Sequence, residues 1–220
     1  MTSSIADRAH EAYERRPGFF DTLVDQRAPR YMWIACSDSR ARPGHFACVQ
    51  PAQVFVHRNT GNLVIRTDTH LTADLRFAVE RLQVETIFVA GHYGCSSVHA
   101  GLHAAAGQPQ PTWLRHIQAT RRHYQPLIES LPLHLQLDAL CELNVLEQVV
   151  NVCTLLSGFW DRGYQVSVAG HMCGPDDSVL VDLGITTDSC ASLLEQFVGA
   201  VERVARRHSL LHCSRPSPPL

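Results

Sequence analysis

The chain has 220 residues, a mass of 24.5 kDa and a formal charge of −2, with 45% hydrophobic and 18% charged residues. That is too apolar for disorder and suits one globular domain over 1–220. No basic stripe marks a nucleic-acid face, no uninterrupted apolar run has the roughly 18 residues of a membrane span, and no basic-then-apolar leader is expected at the start.

In chain order, residues 1–28 read as a helical arm ahead of the domain. Tyr31–Cys36, Gln53–His57 and Thr86–Gly91 are short, rich in β-branched or aromatic residues and bounded by turn formers, as strands covered on both faces should be. Between the second and third, Ala73–Leu82 sets Leu75, Ala78, Val79 and Leu82 on one face of a helix. Ser96 caps a helix through Ala106, ended by Gly107 and Pro109. Leu137–Leu156 is a longer apolar-faced helix stopped by Ser157-Gly158. Tyr164–Gly170 reads as a fourth strand, and Ser178–Leu183, after Pro175-Asp176-Asp177, as a fifth at an edge. The residues 214–220, with three prolines, read as a loose tail. Strands alternating with helices predict an α/β fold with a mostly parallel central sheet flanked by helices; its order is taken as about 2-1-3-4, plus the edge strand.

Eight cysteines occur, at 36, 48, 95, 141, 153, 173, 190 and 213. A chain long enough to build its own core does not need a disulfide framework, so they predict a reducing, cytoplasmic compartment. Cys48, Cys141, Cys153 and Cys190 read as small buried hydrophobes.

Cys36 and Cys95 differ by their neighbours. Cys36-Ser37-Asp38-Ser39-Arg40 ends the first strand, and Gly91-His92-Tyr93-Gly94-Cys95 ends the third. In open parallel sheets, reactive groups gather at strand carboxyl ends where the strand order reverses. If the order is 2-1-3-4, the first and third strands are neighbours and Cys36, His92 and Cys95 converge on one crevice. Two thiolates and an imidazole are ligands zinc prefers, and three protein ligands leave a fourth position for water. Zinc lowers the pKa of its water from about 15.7 toward about 7; two thiolates keep it in the upper part of that range, which favours activity at alkaline pH. Cys95 also precedes a helix whose N-terminal dipole favours a thiolate. A bidentate Arg40 would restrain Asp38 from the open position, leaving it to accept a hydrogen bond from the zinc-bound hydroxide.

These two motifs, with His57-Arg58-Asn59-Thr60-Gly61-Asn62 between them and Asn144–Asn151 beyond, resemble the β-class carbonic anhydrases over about Pro29 to Leu183. The resemblance implies one zinc on Cys36, His92 and Cys95, an Asp38–Arg40 catalytic dyad, and reversible hydration of CO2 to bicarbonate and a proton by zinc-bound hydroxide. It implies an obligate dimer with the arm wrapped around its partner, often paired into tetramers, and no nucleic-acid or membrane partner. Histidine is the natural proton shuttle near neutral pH, and the 13 in the chain leave its identity open.

A subset of the family binds bicarbonate at a second, inhibitory site and closes by ligating the aspartate to zinc. Trp33 and Arg58 match two positions of that site, while Cys173 stands where its tyrosine does. Ser96 and Ser97 replace a glycine pair of many relatives and add hydroxyls near the ligand shell; Gly61 stands where alanine is frequent, and Arg27 where glutamine is common. Two other readings use the same residues. One is hydrolysis of carbonyl sulfide or carbon disulfide at the same zinc. The other is a non-catalytic zinc or sensor protein with Cys173 as a fourth ligand. A nucleotide-binding domain lacks its Gly-x-Gly-x-x-Gly or phosphate loop, and a thiol oxidoreductase lacks Cys-x-x-Cys.

Overall fold

Five strands form one sheet in the order β2-β1-β3-β4-β5 in the computed structural model, which describes residues 4–15, 29–41, 43, 51–104, 110–174 and 179–213. The strands are β1 (Tyr31–Cys36), β2 (Val54–Asn59), β3 (Thr86–His92), β4 (Ser167–Cys173) and β5 (Leu180–Thr187). The pairs β1/β2, β1/β3 and β3/β4 are parallel, and β5 runs antiparallel to β4 at the edge. This is the expected order and mostly parallel character, with helices on the sheet. The register aligns Cys36 with Asn59 and His92 with Cys173, so four carboxyl-terminal strand ends lie side by side.

Two strands sit further along the chain than the hydrophobic pattern predicts. The Tyr164–Gly170 expectation is replaced by Ser167–Cys173 because the residues before it pack a turn instead of joining the ladder. Tyr164 lies edge-on to Phe159, Arg162 covers the Phe159 ring, and Trp160 Nε1 donates to the Val166 carbonyl at 2.9 Å. The edge strand continues past Leu183 through Gly184, whose φ of 72° lets it pass close under the Arg203 side chain.

The helices are α1 (Ile5–Arg15), α2 (Thr69–Phe77), α3 (Ser96–His103), α4 (Thr112–His123), α5 (Gln125–Glu129), α6 (Leu133–Trp160) and α7 (Cys190–Cys213). The start of α2, ahead of the apolar pattern, is set by Asp68, whose carboxylate accepts from the His70 and Leu71 amides. A π-turn over Ala78–Leu82 continues it to Gln83, which ends the run at φ 53°. Helix α6 passes through Ser157-Gly158 instead of stopping there. One helical glycine costs only about 1 kcal/mol, which the packing of Phe159 and Trp160 on the core offsets. Helices α4, α5 and α7 had no sequence expectation. Residues 16–28 of the arm, Arg27, Cys48, the Gly107–Pro109 stop, Pro175-Asp176-Asp177 and the 214–220 tail lie outside the described residues.

By length and composition α6 is apolar enough to cross a membrane, the one such helix among the described residues. Here it is the core: Ala139, Leu140, Leu143, Leu146, Val149 and Leu156 are fully buried against β3 and β4 on one side and α7 on another. It also buries Glu142, Asn144 and Gln148. Such polar groups must be partnered inside the protein, and each is.

Glu142 ties three elements together. Tyr93 Oη, in the turn after β3, donates to its Oε1 at 2.7 Å; His208 Nε2 and Arg207 Nη1 of α7 lie 3.3 and 2.8 Å from its two oxygens. Burial pushes the Glu142 carboxyl up, but the bonds from His208 and Tyr93 and the Arg207 charge outweigh it and hold it below its ordinary 4.5. A depressed carboxylate stabilises the fold above its unfolded pKa, and that contribution is lost as pH falls through the lower folded value. Glu142→Gln is therefore expected to cost about 3–5 kcal/mol at neutral pH. The gap to the unsubstituted protein should narrow below about pH 4. Urea denaturation of both proteins from pH 7 to 3 checks this; a gap constant with pH contradicts it.

Candidate metal centre

The two motifs meet at the carboxyl ends of β1 and β3. One donor atom each from Cys36, Asp38, His92 and Cys95 lies within 4.8 Å of the others. The Cys36 and Cys95 sulfurs are 3.7 Å apart, His92 Nε2 is 2.8 Å from Asp38 Oδ1, and Cys95 Sγ is 3.8 Å from that same oxygen. Both cysteines are buried, while Asp38 is open to solvent. Cys36 closes its strand, and Cys95 sits at the N-cap of α3 with a non-helical backbone. Strand register and the turn into α3 together deliver ligands from positions 36, 92 and 95 to one point.

The electrostatics favour shared negative charge on sulfur. The hydrogen bond from Cys95 pulls the Cys36 thiol down, to about 5, against the opposing effect of burial; that same bond and burial push the Cys95 thiol up. One charge is therefore held between two sulfurs until a cation compensates a second. Burial pulls the His92 imidazole down, but Cys36 and Asp38 raise it above its ordinary value on balance. Burial likewise opposes ionisation of Asp38, yet hydrogen bonds from Cys36 and Ser96 hold it well below the usual carboxylate range. Two soft sulfurs, one imidazole and one carboxylate, gathered and electron-rich, are a donor set that fits zinc.

Arg40 is not where the sequence places it. It is exposed, and among the described residues it makes no ion pair with Asp38. Arg58 instead holds that turn: it reaches from β2 and donates to the carbonyls of Cys36 (2.8 Å), Ser39 (3.0 Å) and Ala41 (2.6 Å). Curled around that guanidinium, the 36–41 turn aims Asp38 inward. The Asp38 carboxylate then meets the first turn of α3, where Ser96 offers both its amide, at 3.0 Å, and its hydroxyl to Oδ2.

The remaining predicted residues separate into two groups. Ser97 is buried with its hydroxyl 4.0 Å from Cys36 Sγ, so it joins the ligand surroundings. Trp33 is buried with Ala35, Ala41, Ala90 and Cys173, its ring 5.7 Å from that of Phe88. Cys173 belongs to this second cluster and lies outside the donor group. Arg58 is spent on the three carbonyls.

Sequence reasoning missed the cradle behind Cys36. The Gly61 amide donates to Cys36 Sγ at 3.1 Å, a bond that needs the turn after β2 to fold back with Gly61 at φ 77°. Asn144 of α6 donates to the Gly61 carbonyl (3.0 Å), Gln148 donates to Asn144 (3.2 Å), and the Val64 amide donates to Gln148 (2.8 Å). Asn59 clamps the same turn through both the amide and the carbonyl of Leu63. The available signal was the Asn144/Gln148 pair, one helical turn apart in an otherwise apolar helix. Buried amides at that spacing share one face and need a partner loop.

A family model described as carbonic anhydrase matches residues 31–180. A carbonic anhydrase from Emericella nidulans is 31% identical over 173 residues, 77% of this chain and 75% of that protein. Among solved structures, a Coccomyxa β-carbonic anhydrase in complex with acetazolamide aligns over 95% of this chain and 94% of its own, at 28% identity and TM-score 0.74. One of two tetrameric β-carbonic anhydrases from the filamentous ascomycete Sordaria macrospora covers 82% of this chain and 93% of its own, at 28% identity and TM-score 0.68.

Proposed function

The chain belongs to the β-class carbonic anhydrases, and from that premise we propose that Cys36, His92 and Cys95 hold its zinc and that Asp38 is its reacting-site carboxylate. The reaction is the reversible hydration of CO2 to bicarbonate and a proton. The observation that carries the assignment is the convergence of those four donors within 4.8 Å, from two strand ends distant in sequence. Zinc supplies a Lewis acid that makes water a nucleophile near neutral pH.

The protein's own groups do the rest. The Gly61 amide and the buried α6 amides behind it fix the Cys36 sulfur, so the donor set is pre-organised and not assembled on demand. The carboxylate of Asp38 accepts hydrogen bonds on Oδ2 while Oδ1 faces the donor group, so it orients a hydroxyl there or fills that place itself. Arg58 keeps the 36–41 turn, and with it Asp38, in register with the α3 N-terminus.

Two further features belong to this proposal. The described side chains of α1 are all exposed, Ile5 at 79% and Tyr13 at 49%, and such a helix gains by packing on a second copy. That supports a homodimer or a tetramer, the state of the Sordaria relatives. The free thiols at the buried Cys36, Cys95, Cys141, Cys153 and Cys173, and at Cys190, which is exposed and not the buried hydrophobe expected from the sequence, support a reducing, cytoplasmic setting.

Stopped-flow CO2 hydration, run beside sulfide release from carbonyl sulfide, tests the reading. Zinc-loaded protein should hydrate CO2 rapidly and release sulfide far more slowly; loaded protein inert toward CO2 overturns it.

A further inference from the structure

Two histidines outside the donor group share the helix that begins just after Cys95. His99 and His103 are four residues apart in α3, so they stand one above the other on one face. Both are exposed, and their ring centroids are 4.5 Å apart with the planes tilted by 55°. Among the described residues this is the one contact between two histidine rings. Neither imidazole has a carboxylate partner among them, whereas His10, His57, His92 and His208 each have one. The opposite face of the helix is fixed. Val98, Gly101 and Leu102 are buried, and Gly101 lies so close to α4 that an added Cβ would stand 2.3 Å from the Ile117 side chain. Pressed on α4 in this way, α3 presents the two imidazoles from a rigid support.

Neutral imidazoles are ligands for zinc, copper and nickel. Two of them sharing one ion in adjacent positions, at about 2.0–2.1 Å, place their ring centres about 4.5–5 Å apart, so this pair needs little rotation to close on one. His103 also stands in the last turn of α3, whose carbonyls favour a positive charge. We propose that His99 and His103 form a second metal site, an exchangeable one on the exposed face of α3, which takes a divalent transition-metal ion through two imidazole nitrogens and completes its shell with water. Its donors are nitrogen without sulfur and open to solvent, unlike those at Cys36, His92 and Cys95. The two sites share no ligand, so the failure of one assignment leaves the other standing.

The test is a calorimetric titration of full-length protein, carrying the metal it purifies with, by nickel(II). Nickel suits imidazole and, unlike copper(II), does not oxidise the exposed Cys190 thiol. Five forms are compared: unsubstituted, His99→Asn, His103→Asn, the double substitution, and His116→Asn in α4, with circular dichroism confirming that each is folded. The second arm of a chelate binds at a high effective concentration, so either single substitution at 99 or 103 should weaken nickel binding by about tenfold or more. The double substitution should then cost little beyond either single one, because both remove the same shared ion. His116→Asn should leave the affinity unchanged. Nickel affinity unaltered in His99→Asn and His103→Asn overturns the site. Small losses that simply add in the double substitution also overturn it, since they mark two independent surface imidazoles.

Discussion

Cys95→Ser protein should purify with far less than one zinc per chain and hydrate CO2 at close to the uncatalysed rate. The substitution keeps the fold's shape, replacing a buried sulfur by a smaller oxygen at the head of α3, so loss of activity would not reflect unfolding. What it removes is a soft ligand. A serine hydroxyl does not ionise near neutral pH, whereas zinc binding deprotonates a thiol outright. The remaining Cys36, His92 and Asp38 would hold the ion through one sulfur, one nitrogen and one solvent-facing oxygen. Hydration should fall by several orders of magnitude, since the nucleophile exists only while the metal does. Metal analysis after gel filtration, paired with circular dichroism and stopped-flow hydration, checks each part. Full zinc and full activity in this variant would remove Cys95 from the site.

Asp38→Asn should show the opposite partition: zinc retained, hydration reduced by about 10²-fold or more. Three ligands remain, so the metal stays. The change strikes the acceptor. A carboxylate takes the Ser96 amide and hydroxyl on one oxygen and still has a second oxygen for the reacting group; an amide has one acceptor oxygen and an NH2 that only donates. Whichever way the substituted amide turns, either Ser96 or the reacting position meets a donor. Unchanged kinetics with full zinc would reduce Asp38 to a surface charge.

The site was legible because zinc ligation has a narrow chemical vocabulary. Cysteine and histidine at the carboxyl ends of two strands, with a strand order that makes those strands neighbours, bring Cys36, His92 and Cys95 together, and the structure does so. What escaped were the interactions decided by side-chain competition. Arg40 lies close to Asp38 in sequence and looks like its partner, yet Ser96 takes the Asp38 carboxylate, and Arg58 from the neighbouring strand holds the carbonyls of the turn. Nothing local in the sequence ranks those two arginines. In the same way, Ser96 reads as a helix cap, whereas its hydroxyl serves a carboxylate from another motif.

Of the fold, apolar runs and their alternation with helical patterns revealed a mostly parallel sheet, because buried parallel strands are short and uniformly hydrophobic, while the order 2-1-3-4 was a supposition that the structure matches. Boundaries moved where aromatic packing outweighed ladder formation, as at Phe159–Tyr164 ahead of β4. The C-terminal helix went unread although Leu193, Phe197, Ala200, Val201 and Val204 recur at helical spacing against the core. Its role becomes visible only with Glu142, a carboxylate inside an apolar helix that needs Arg207 and His208 to be tolerable there.

Zinc K-edge X-ray absorption on freshly purified protein, with metal stoichiometry from the same sample, addresses the metal assignment most directly. One zinc per chain with two sulfurs at about 2.3 Å and nitrogen or oxygen donors at about 2.0–2.1 Å is the predicted result. Protein without zinc, its Cys36 and Cys95 joined as a disulfide, or a metal shell lacking sulfur, would contradict it.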